Sequence, residues 1–350
     1  MRLKAFLVIV VVASVAFFLY MLIEIERCCK ELVVNQEEIL PKEVGAVENK
    51  APFETRILHF GDLMLDRGVG RTLERGVNPF KNIEGFIREG SFDAVVANLE
   101  GPFTHSPDCQ IKPYSFRFEP ERVTLLVNAG ITAVTLANNH SNDCYEAGIK
   151  DSRGVLATAG VVAFGDDAHS LPLGVEWYAE NLGITFFGFD TTLGLQSAEE
   201  MKERVRGDMH TDSRAVVHVH WGSEYEPSPN SAQRHLATTL ADEGVSLIIG
   251  HHPHVIEPAE IINETVIFYS LGNFIFDQET VETQTGYAVE ERIIGEDGSA
   301  ASVREYIVHP YRIIGHVPTL LDGSERLEIC ERVLSSVEVR NEDACSFLVQ

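Results

Sequence analysis

Polar side chains of a few types recur directly after short apolar runs of this chain, and their types suit the binding of divalent cations. They are Asp62, Asn98, Glu100, Asn139, His140, His220, Glu224, His252 and His254. Carboxylate, amide and imidazole groups are ligands for hard and borderline cations. If the apolar runs are strands of an open α/β sheet, their carboxyl ends meet at one edge, where ligands bind. The pattern therefore predicts a site for one or two metal ions at that edge.

Each of these groups also has an ordinary structural explanation when it is taken alone. Asp62, which follows Gly61, could cap a turn, and Asn139 could lie in a turn because asparagine tolerates left-handed backbone. His220 could be a packed core histidine. The segment HHPH (251–254) is harder to explain in this way, because three imidazoles behind a buried strand gain little as core. Together the groups favour a metal site over a set of unrelated structural residues.

The apolar runs that precede these groups predict strands buried on both faces, because they are short and rich in β-branched residues. The runs span 57–62, 92–101, 131–140, 184–190, 215–222, 245–254 and 266–274. Segments 120–129, 146–159 and 231–243 have helical character, and a glycine, a C-cap signal, follows each of them. This alternation predicts an α/β architecture. Farther on, segments 287–294 and 303–314 predict an antiparallel pair, whereas the pattern from residue 320 onward indicates no definite element.

Composition excludes two broad classes of protein. The chain has 350 residues, of which 45% are hydrophobic, a share too high for a disordered protein. It carries 28 Lys and Arg against 53 Asp and Glu, a formal net charge of −25. Binding to nucleic acid requires clustered basic residues to neutralise phosphates, and the sequence contains no such cluster.

The N-terminal region predicts a membrane anchor. Residues 5–23 are uncharged and almost wholly apolar, and about 19 residues of helix reach roughly 30 Å, the thickness of a bilayer core. Arg2 and Lys4 precede the run while Glu24 and Glu26 follow it, which predicts a cytoplasmic N-terminus and an extracytoplasmic remainder. The alternative is a cleaved signal peptide, but no A-x-A-like cleavage site follows the run.

Six cysteines are present, and their spacing fits no cysteine metal site. In an oxidising compartment outside the cytoplasm they can pair. We predict a disulfide between Cys109 and Cys144, because both belong to loops at the same edge of the sheet. The alternative is two unrelated thiols. Cys330 and Cys345 form a second candidate pair.

Six blocks of the sequence, in order, resemble the signature blocks of the CapA family, which is associated with capsule and poly-γ-glutamate synthesis. The blocks are GDLMLDR (61–67), ANLEGP (97–102), LANNHSND (136–143), HWGSEY (220–225), IGHHPHV (249–255) and YSLGNF (269–274). The resemblance implies an α/β fold of the metallophosphatase type, a four-layer α/β/β/α sandwich preceded by one N-terminal transmembrane helix. The expected organisation is a cytoplasmic tip (1–4), a transmembrane anchor (5–23), a stalk (24–55), a CapA-like domain (56–315) and a C-terminal extension (316–350).

Similarity to the wider calcineurin-like phosphoesterases implies a ligand set for the metal site. The implied ligands are Asp62, Glu100, Asn139, His220, His252 and His254. Met64 stands where the first block of that pattern has a histidine, and a thioether is a weak donor for Mn²⁺, Zn²⁺ or Mg²⁺. The expectation is therefore one tightly held divalent ion (Mn, Zn, Fe or Mg) and a second that is weak or absent. Glu100, Asn139, His220 and His252 would hold the tight one.

The resemblance also implies roles in catalysis and binding. His140 would donate a proton to the leaving group, while the metal activates water and polarises a phosphoryl or acyl oxygen. Arg67 and the Asn98 amide would contact an anionic substrate, since guanidinium pairs bidentately with phosphate or carboxylate. The alternative for Arg67 is an exposed, solvated side chain.

Three functions remain open at this stage. The first is a membrane-anchored, metal-dependent phosphoesterase-type hydrolase of the cell membrane, acting in the synthesis or export of a cell-surface polymer. The second is a non-catalytic, metal-containing subunit that binds the anionic polymer or its synthase complex, an interpretation that Met64 favours and His140 disfavours. The third is a metal-assisted amide hydrolase that trims the polymer. An acidic protein repels a polyanion at long range, so any binding requires a local cation.

Overall fold

The computed structural model describes residues 52–165, 176–194, 196–296, 302–337 and 345–349. The predicted tip (1–4) and anchor (5–23) lie outside the described residues, as do the first 28 residues of the predicted stalk, 24–51. Within the described ranges, no helix combines the length and the apolar character needed to cross a bilayer.

Residues 52–350 group into one compact unit, whose described part contains two β-sheets and flanking helices. The strands are β1 (Pro52–Leu63), β2 (Ala94–Leu99), β3 (Ala133–Thr135), β4 (Val162–Phe164), β5 (Trp177–Ala179), β6 (Ile184–Asp190), β7 (Arg214–His220), β8 (Leu247–His251), β9 (Ala259–Ile262), β10 (Thr265–Phe268), β11 (Asn273–Ile275), β12 (Thr285–Glu296), β13 (Ser302–Ile314), β14 (Val317–Leu320) and β15 (Ser346–Val349). The helices are α1 (Arg67–Glu74), α2 (Glu84–Glu89), α3 (Val123–Ala129), α4 (Tyr145–Ala159), α5 (Ala198–Asp208), α6 (Ser231–Ala241) and α7 (Gly323–Val333).

The larger sheet has the strand order β14-β13-β12-β1-β2-β3-β4, with β11 paired to β1 and β15 to β13. Its β1–β4 half is parallel, and its β12–β14 half is antiparallel. The smaller sheet has the order β5-β6-β7-β8-β10-β9, in which β6, β7, β8 and β10 are parallel and the two edge strands are antiparallel. The predicted mixed α/β fold is confirmed, as is the predicted antiparallel pair, which is β12 and β13.

Three hydrophobic cores hold these layers together. One lies between the sheets, where residues such as Val96 of the larger sheet and Val216 of the smaller one are fully buried. A second joins the larger sheet to helices α1–α4, and a third joins the smaller sheet to α5 and α6. Strands covered on both faces explain the continuous apolar runs of the sequence. The two-sheet arrangement is consistent with a metallophosphatase-like domain.

The prediction of a single strand over 266–274 was wrong. This segment forms β10 in the smaller sheet, crosses over, and then forms β11, which pairs with β1 of the larger sheet. The crossover brings two backbones together, and Asp62 N donates to Gly272 O at 3.1 Å. A Cβ at Gly61 would lie 1.9 Å from that same oxygen, so only glycine fits there. Gly272 itself has a φ of +71°, which glycine adopts without strain.

The stretch from residue 320 onward, which the sequence pattern could not place, includes a helix and a strand of the larger sheet. β14 and β15 both pair with β13, and α7 lies between them in the chain. A disulfide joins Cys330 of α7 to Cys345, next to β15. This second candidate cysteine pair is confirmed.

The predicted disulfide between Cys109 and Cys144 is also confirmed. It closes a loop with a sequence separation of 35 residues at the edge where the candidate ligands lie. In the chain-entropy description, such a closure stabilises the fold by about 3–4 kcal/mol. The bond therefore fixes the long loop after β2 against the start of α4.

Candidate metal centre

The structure brings all six predicted metal ligands to the edge where the carboxyl ends of the two sheets meet. They are Asp62 in β1, Glu100 after β2, Asn139 after β3, His220 at the end of β7, and His252 and His254 after β8. The larger sheet supplies the carboxylates and the amide, and the smaller sheet supplies the imidazoles. Neither sheet alone contains the set, so the site depends on the packing of one sheet against the other.

The loop after β8 holds its two histidines in a strained backbone. His252 has a φ of +96° and His254 a φ of +59°, values that side-chain-bearing residues rarely adopt. Hydrogen bonds fix this conformation: His252 N donates to Asp62 Oδ2 at 3.2 Å, and Tyr225 N donates to Pro253 O at 2.8 Å. Strain of this kind persists where surrounding contacts impose it, often at functional sites. Here it directs both imidazoles toward the carboxylates.

Three donor groups of the expected tight site converge closely. Asn139 Oδ1 lies 3.0 Å from His220 Nε2, which lies 3.1 Å from His252 Nδ1. Burial lowers the pKa of His220 well below its usual value and that of His252 to about 4, with a further decrease from neighbouring histidines. Both rings are therefore neutral near pH 7, which is the form that binds metals.

Glu100 is the least satisfied group of the site. It is fully buried, and neither carboxylate oxygen has a hydrogen-bond partner among the described residues. The nearest cationic candidates, His140 Nε2 and His254 Nε2, are each 3.7 Å from Oε1. Burial raises the pKa of Glu100 well above its usual value. A buried carboxylate without partners is costly unless a cation compensates it, so the residues present fit a bound metal ion.

Asp62 and His254 form the other side of the site. His254 Nδ1 lies 3.2 Å from Asp62 Oδ2, and Asn98 Nδ2 donates to Asp62 Oδ1 at 2.8 Å. Burial alone would lower the pKa of His254, but the Glu100 charge and the bond to Asp62 raise it to about 9. A proton on His254 thus balances the carboxylates. A metal ion that binds through this ring has to displace that proton.

Among the described residues, three groups of three side chains have ligand atoms that all lie within 4.8 Å of one another. One of them, His105, Glu119 and Glu121, contains none of the predicted ligands. The other two lie at this centre: one contains Asp62, Glu100 and His220, and the other contains Glu224, His252 and His254. The two groups are adjacent, because His254 contacts Asp62 directly. Glu224 therefore belongs to the same centre as the six predicted ligands.

His140 lies beside Glu100, and contacts with Asp143 and Phe116 fix the orientation of its ring. Its Nδ1 is 2.8 Å from Asp143 Oδ2, and its ring stacks on Phe116 with centroids 4.1 Å apart. Lys112 Nζ is 2.5 Å from Asp143 Oδ1. These contacts orient the ring so that Nε2 faces the site. His140 also lines a pocket of about 80 Å³ with Glu100, Glu224 and His254, so a bound group could reach it.

The two predicted anion contacts have different surroundings. Arg67 lines the pocket, where its guanidinium pairs with Asp277 at 3.0 Å and lies over the rings of Tyr114 and Phe116. Asn98 is fully buried, and its amide is engaged with Asp62 and with Asn138. Arg67 is accordingly placed to meet a ligand, whereas Asn98 orients a metal ligand.

Met64 is fully buried and belongs to the core between the larger sheet and its helices. Its sulfur accepts a hydrogen bond from Asp66 N at 2.9 Å. The same core contains Phe116 and Phe276, which also line the pocket, so Met64 packs in a core that borders the centre.

Behind the ligands, three fully buried histidines form a chain between the sheets. His251 Nδ1 lies 3.4 Å from Asp62 Oδ1, His218 Nδ1 lies 3.0 Å from His251 Nε2, and His59 Nδ1 lies 3.2 Å from His218 Nε2. The far atom, His59 Nε2, has no hydrogen-bond partner among the described residues. The imidazole chain, His59–His218–His251, connects Asp62 to the interior of the fold.

The imidazole chain should make the fold sensitive to acid. Burial lowers the pKa of His59 to about 4, despite the opposing charge of Glu291, whereas an unfolded histidine has a pKa of 6.5. The unfolded state therefore takes up this proton first as the pH falls. The contribution of His59 is fully present above pH 6.5 and is lost progressively toward pH 4, a loss of about 3 kcal/mol.

The measurement is the free energy of unfolding by urea between pH 7 and pH 4, in the presence of a chelator. His59→Gln should reduce the slope of the free energy of unfolding against pH by roughly 1.4 kcal/mol per pH unit, the value for one proton. The control is His235→Gln, because His235 is exposed on α6. Equal slopes for wild type and His59→Gln would contradict the assignment.

Several residues of the centre were missed by the sequence patterns. Asp143 and Lys112 lie in the same blocks and loops as predicted residues, but no spacing rule links them to His140. Glu224 was noted only as a polar residue after a strand. The signal for Glu224 was its position four residues after His220, in the block HWGSEY. His59, three residues before Asp62, resembled any other polar residue of an alternating strand.

Residues 56–278 match the family model described as bacterial capsule synthesis protein PGA_cap. The chain is 33% identical to the PGA biosynthesis protein CapA of Bacillus subtilis (strain 168) over 253 residues. The aligned residues cover 66% of this chain and 65% of that protein. The chain is 28% identical over 273 residues to the capsule biosynthesis protein CapA of Bacillus anthracis, with 71% and 66% covered.

A more distant relative is a probable polyglutamine synthesis accessory protein of Mycobacterium tuberculosis (strain ATCC 25618 / H37Rv). It is 23% identical over 303 residues, which cover 69% of this chain and 80% of that protein. The chain spans slightly less than two thirds of the length of the two Bacillus relatives. The family-model match, residues 56–278, includes the centre described above.

Proposed function

The chain belongs to the bacterial capsule synthesis protein family, PGA_cap, and from that membership we propose that it is a metal-dependent phosphoesterase-type hydrolase. We propose that it acts in the synthesis or export of a poly-γ-glutamate-like capsule polymer. The relatives in Bacillus are named for capsule or PGA biosynthesis, and the relative in Mycobacterium is named as an accessory protein of polyglutamine synthesis. The fold that goes with this proposal is the four-layer α/β/β/α sandwich of metallophosphatases.

The observation that carries the proposal is the state of Glu100. Among the described residues, its two buried oxygens have no hydrogen-bond partner, and the ligand atoms of Asp62 and His220 lie within 4.8 Å. A carboxylate positioned in this way fits a role as the bridging ligand of a metal centre. Asn139, His220 and His252 complete a set of four ligands for the tightly held ion. Imidazole with oxygen donors suits Mn, Fe or Zn.

A divalent ion held by this set would supply Lewis acidity for the activation of water and the polarisation of a phosphoryl oxygen. Side chains of the protein supply the proton donor and the contacts to the substrate. His140, oriented by Asp143, faces the pocket and donates a proton to the leaving oxygen. Arg67 holds the anionic part of the substrate against the acidic walls of the pocket, where Tyr114 and Tyr225 form the entrance.

The proposed setting is the outer side of the cell membrane, with residues 5–23 as the anchor and a membrane-bound synthase complex as partner. The two disulfides support an oxidising compartment, since such bonds are rare in the cytoplasm.

A second candidate function is a non-catalytic, metal-containing subunit that binds the polymer or its synthase. The position of Met64 favours this candidate, because the chain lacks one of the histidines that active phosphoesterases of this type carry. Arg67, already paired with Asp277, is a weaker anion site than a free guanidinium.

The test is metal analysis of the purified full-length chain, followed by assays with aryl mono- and diphosphates in added Mn²⁺. We expect about one metal ion per chain after dialysis against a mild chelator, and hydrolysis that stops when a strong chelator removes it. A chain that retains metal but hydrolyses neither substrate would favour the binding subunit. A chain that takes up no Mn²⁺ would contradict the metal centre altogether.

A further inference from the structure

The loop after β7 brings a seventh candidate ligand over the centre. Glu224 lies four residues beyond His220, and its carboxylate is within 4.8 Å of the ligand atoms of both His252 and His254. The backbone bond from Tyr225 N to Pro253 O, 2.8 Å long, ties this loop to the one that carries the histidines. Glu224 therefore holds its position through the same contacts that hold the histidine loop.

The second metal position lacks one donor without this residue. Asp62, Glu100 and His254 face one another there, with 3.2 Å between His254 and Asp62 and 3.7 Å between His254 and Glu100. Met64 is a poor fourth donor, because a thioether binds these ions weakly and its sulfur already accepts a hydrogen bond from Asp66 N. Neither oxygen of Glu100 has a hydrogen-bond partner among the described residues, so one of them is available to a second cation.

We propose that Glu224 is a ligand of a second divalent cation, which it binds together with Asp62, Glu100 and His254. The inference rests on the proposed metal centre and extends it. Three carboxylates and one imidazole form an oxygen-rich set, which suits Mn²⁺ or Mg²⁺ better than the imidazole-rich neighbouring set does. The Glu224 carboxylate supplies the donor that a histidine at position 64 would otherwise provide.

Glu224 is exposed, unlike the other ligands, and this difference determines the strength of the second site. Solvent screens an exposed carboxylate, and immobilising its side chain costs conformational entropy. The second cation therefore exchanges more readily than the first. The centre contains one tight and one weaker ion, and the weaker one depends on a surface loop.

The experiment is Mn²⁺ titration of the chelator-stripped full-length protein, followed by calorimetry and by electron paramagnetic resonance. The wild type should bind two ions with different affinities and show the spectrum of a coupled Mn²⁺ pair at saturation. Glu224→Gln should weaken the second ion at least about tenfold and abolish the coupled spectrum, while the first ion stays unchanged. Glu224→His, which supplies an imidazole instead, should restore the second ion.

The matched control is Glu226→Gln, which removes a charge from the same exposed loop and should leave both ions in place. A wild type that binds a single ion, or a Glu224→Gln variant that still binds two, overturns the role of Glu224 and leaves the proposed function standing. A wild type that binds no ion overturns both.

Discussion

Replacing His220 by alanine should remove the tightly held metal ion and with it all metal-dependent turnover. The ring is fully buried, and its Nε2 lies 3.0 Å from Asn139 Oδ1 and 3.1 Å from His252 Nδ1. The pairing of β7 with β8, in which His220 lies opposite His251, fixes the backbone at this position. We expect the metal affinity to fall by far more than the roughly tenfold to hundredfold that loss of an outer contact causes.

The measurement is metal content by mass spectrometry after dialysis, together with the hydrolysis rate. His235→Ala is the control, since it removes an exposed imidazole of α6 from the same protein. Retention of one ion per chain in His220→Ala would show that the ligand set is misassigned. A melting curve in chelator separates loss of metal from loss of fold, because the metal-free forms of both variants can then be compared directly.

Replacing His140 by glutamine should reduce the turnover number by about 10²- to 10⁴-fold while metal content stays unchanged. Glutamine can still donate a hydrogen bond to Asp143 but cannot deliver a proton to a leaving oxygen. Nε2 of His140 faces Glu100 from 3.7 Å and is not needed to complete either ligand set. The loss should therefore appear in the turnover number rather than in metal binding.

Two readouts distinguish this role from a structural one. The variant should lose the basic limb of the pH–rate profile, which reports deprotonation of the acid. The turnover number of the variant should also fall least with a substrate whose leaving group is already acidic, such as a nitrophenolate. His105→Gln, an exposed histidine of the neighbouring loop, is the control. A full-rate His140→Gln enzyme would exclude His140 as the proton donor.

Strand patterns predicted much of the fold because both faces of each sheet are covered. Runs such as 184–190 coincide with β6, where every residue is buried. The helix boundaries at Gly130 and Gly160 were predicted because these glycines adopt φ values of +89° and +77°, which end a helix. Short edge strands and the elements after residue 315 gave no comparable signal, since half-exposed strands carry mixed sequences.

The prediction of a single strand over 266–274 was wrong for a different reason. Its apolar run is continuous, but the chain changes sheets in the middle, and hydrophobicity does not record which sheet a residue joins. Gly272, where the backbone turns, was the only local sign. A pattern that reports burial cannot distinguish one buried strand from two.

The candidate site was predictable to the extent that its residues follow strands directly. Asp62, His220 and His252 were placed by that rule, and Glu224 was noted by it as a polar residue after a strand but not as a metal ligand. Asp143 and Lys112 were not placed, because loops bring them to the centre through contacts between distant segments. Met64 illustrates the converse: the sequence showed a difference from the pattern of the wider calcineurin-like phosphoesterases but could not indicate that the side chain is fully buried among apolar residues.

The imidazole chain links the protonation of rings that lie far apart. A neutral ring that donates from one nitrogen can only accept at the other, so the hydrogen bonds between His59 and His218 and between His218 and His251 couple the tautomers of these rings. His251 Nδ1 lies 3.4 Å from Asp62 Oδ1 and has no hydrogen-bond partner among the described residues, so the row approaches Asp62 without donating to it. A change of tautomer at His218 therefore requires a matching change in a neighbouring ring, and the three rings act as one polar row rather than as separate side chains.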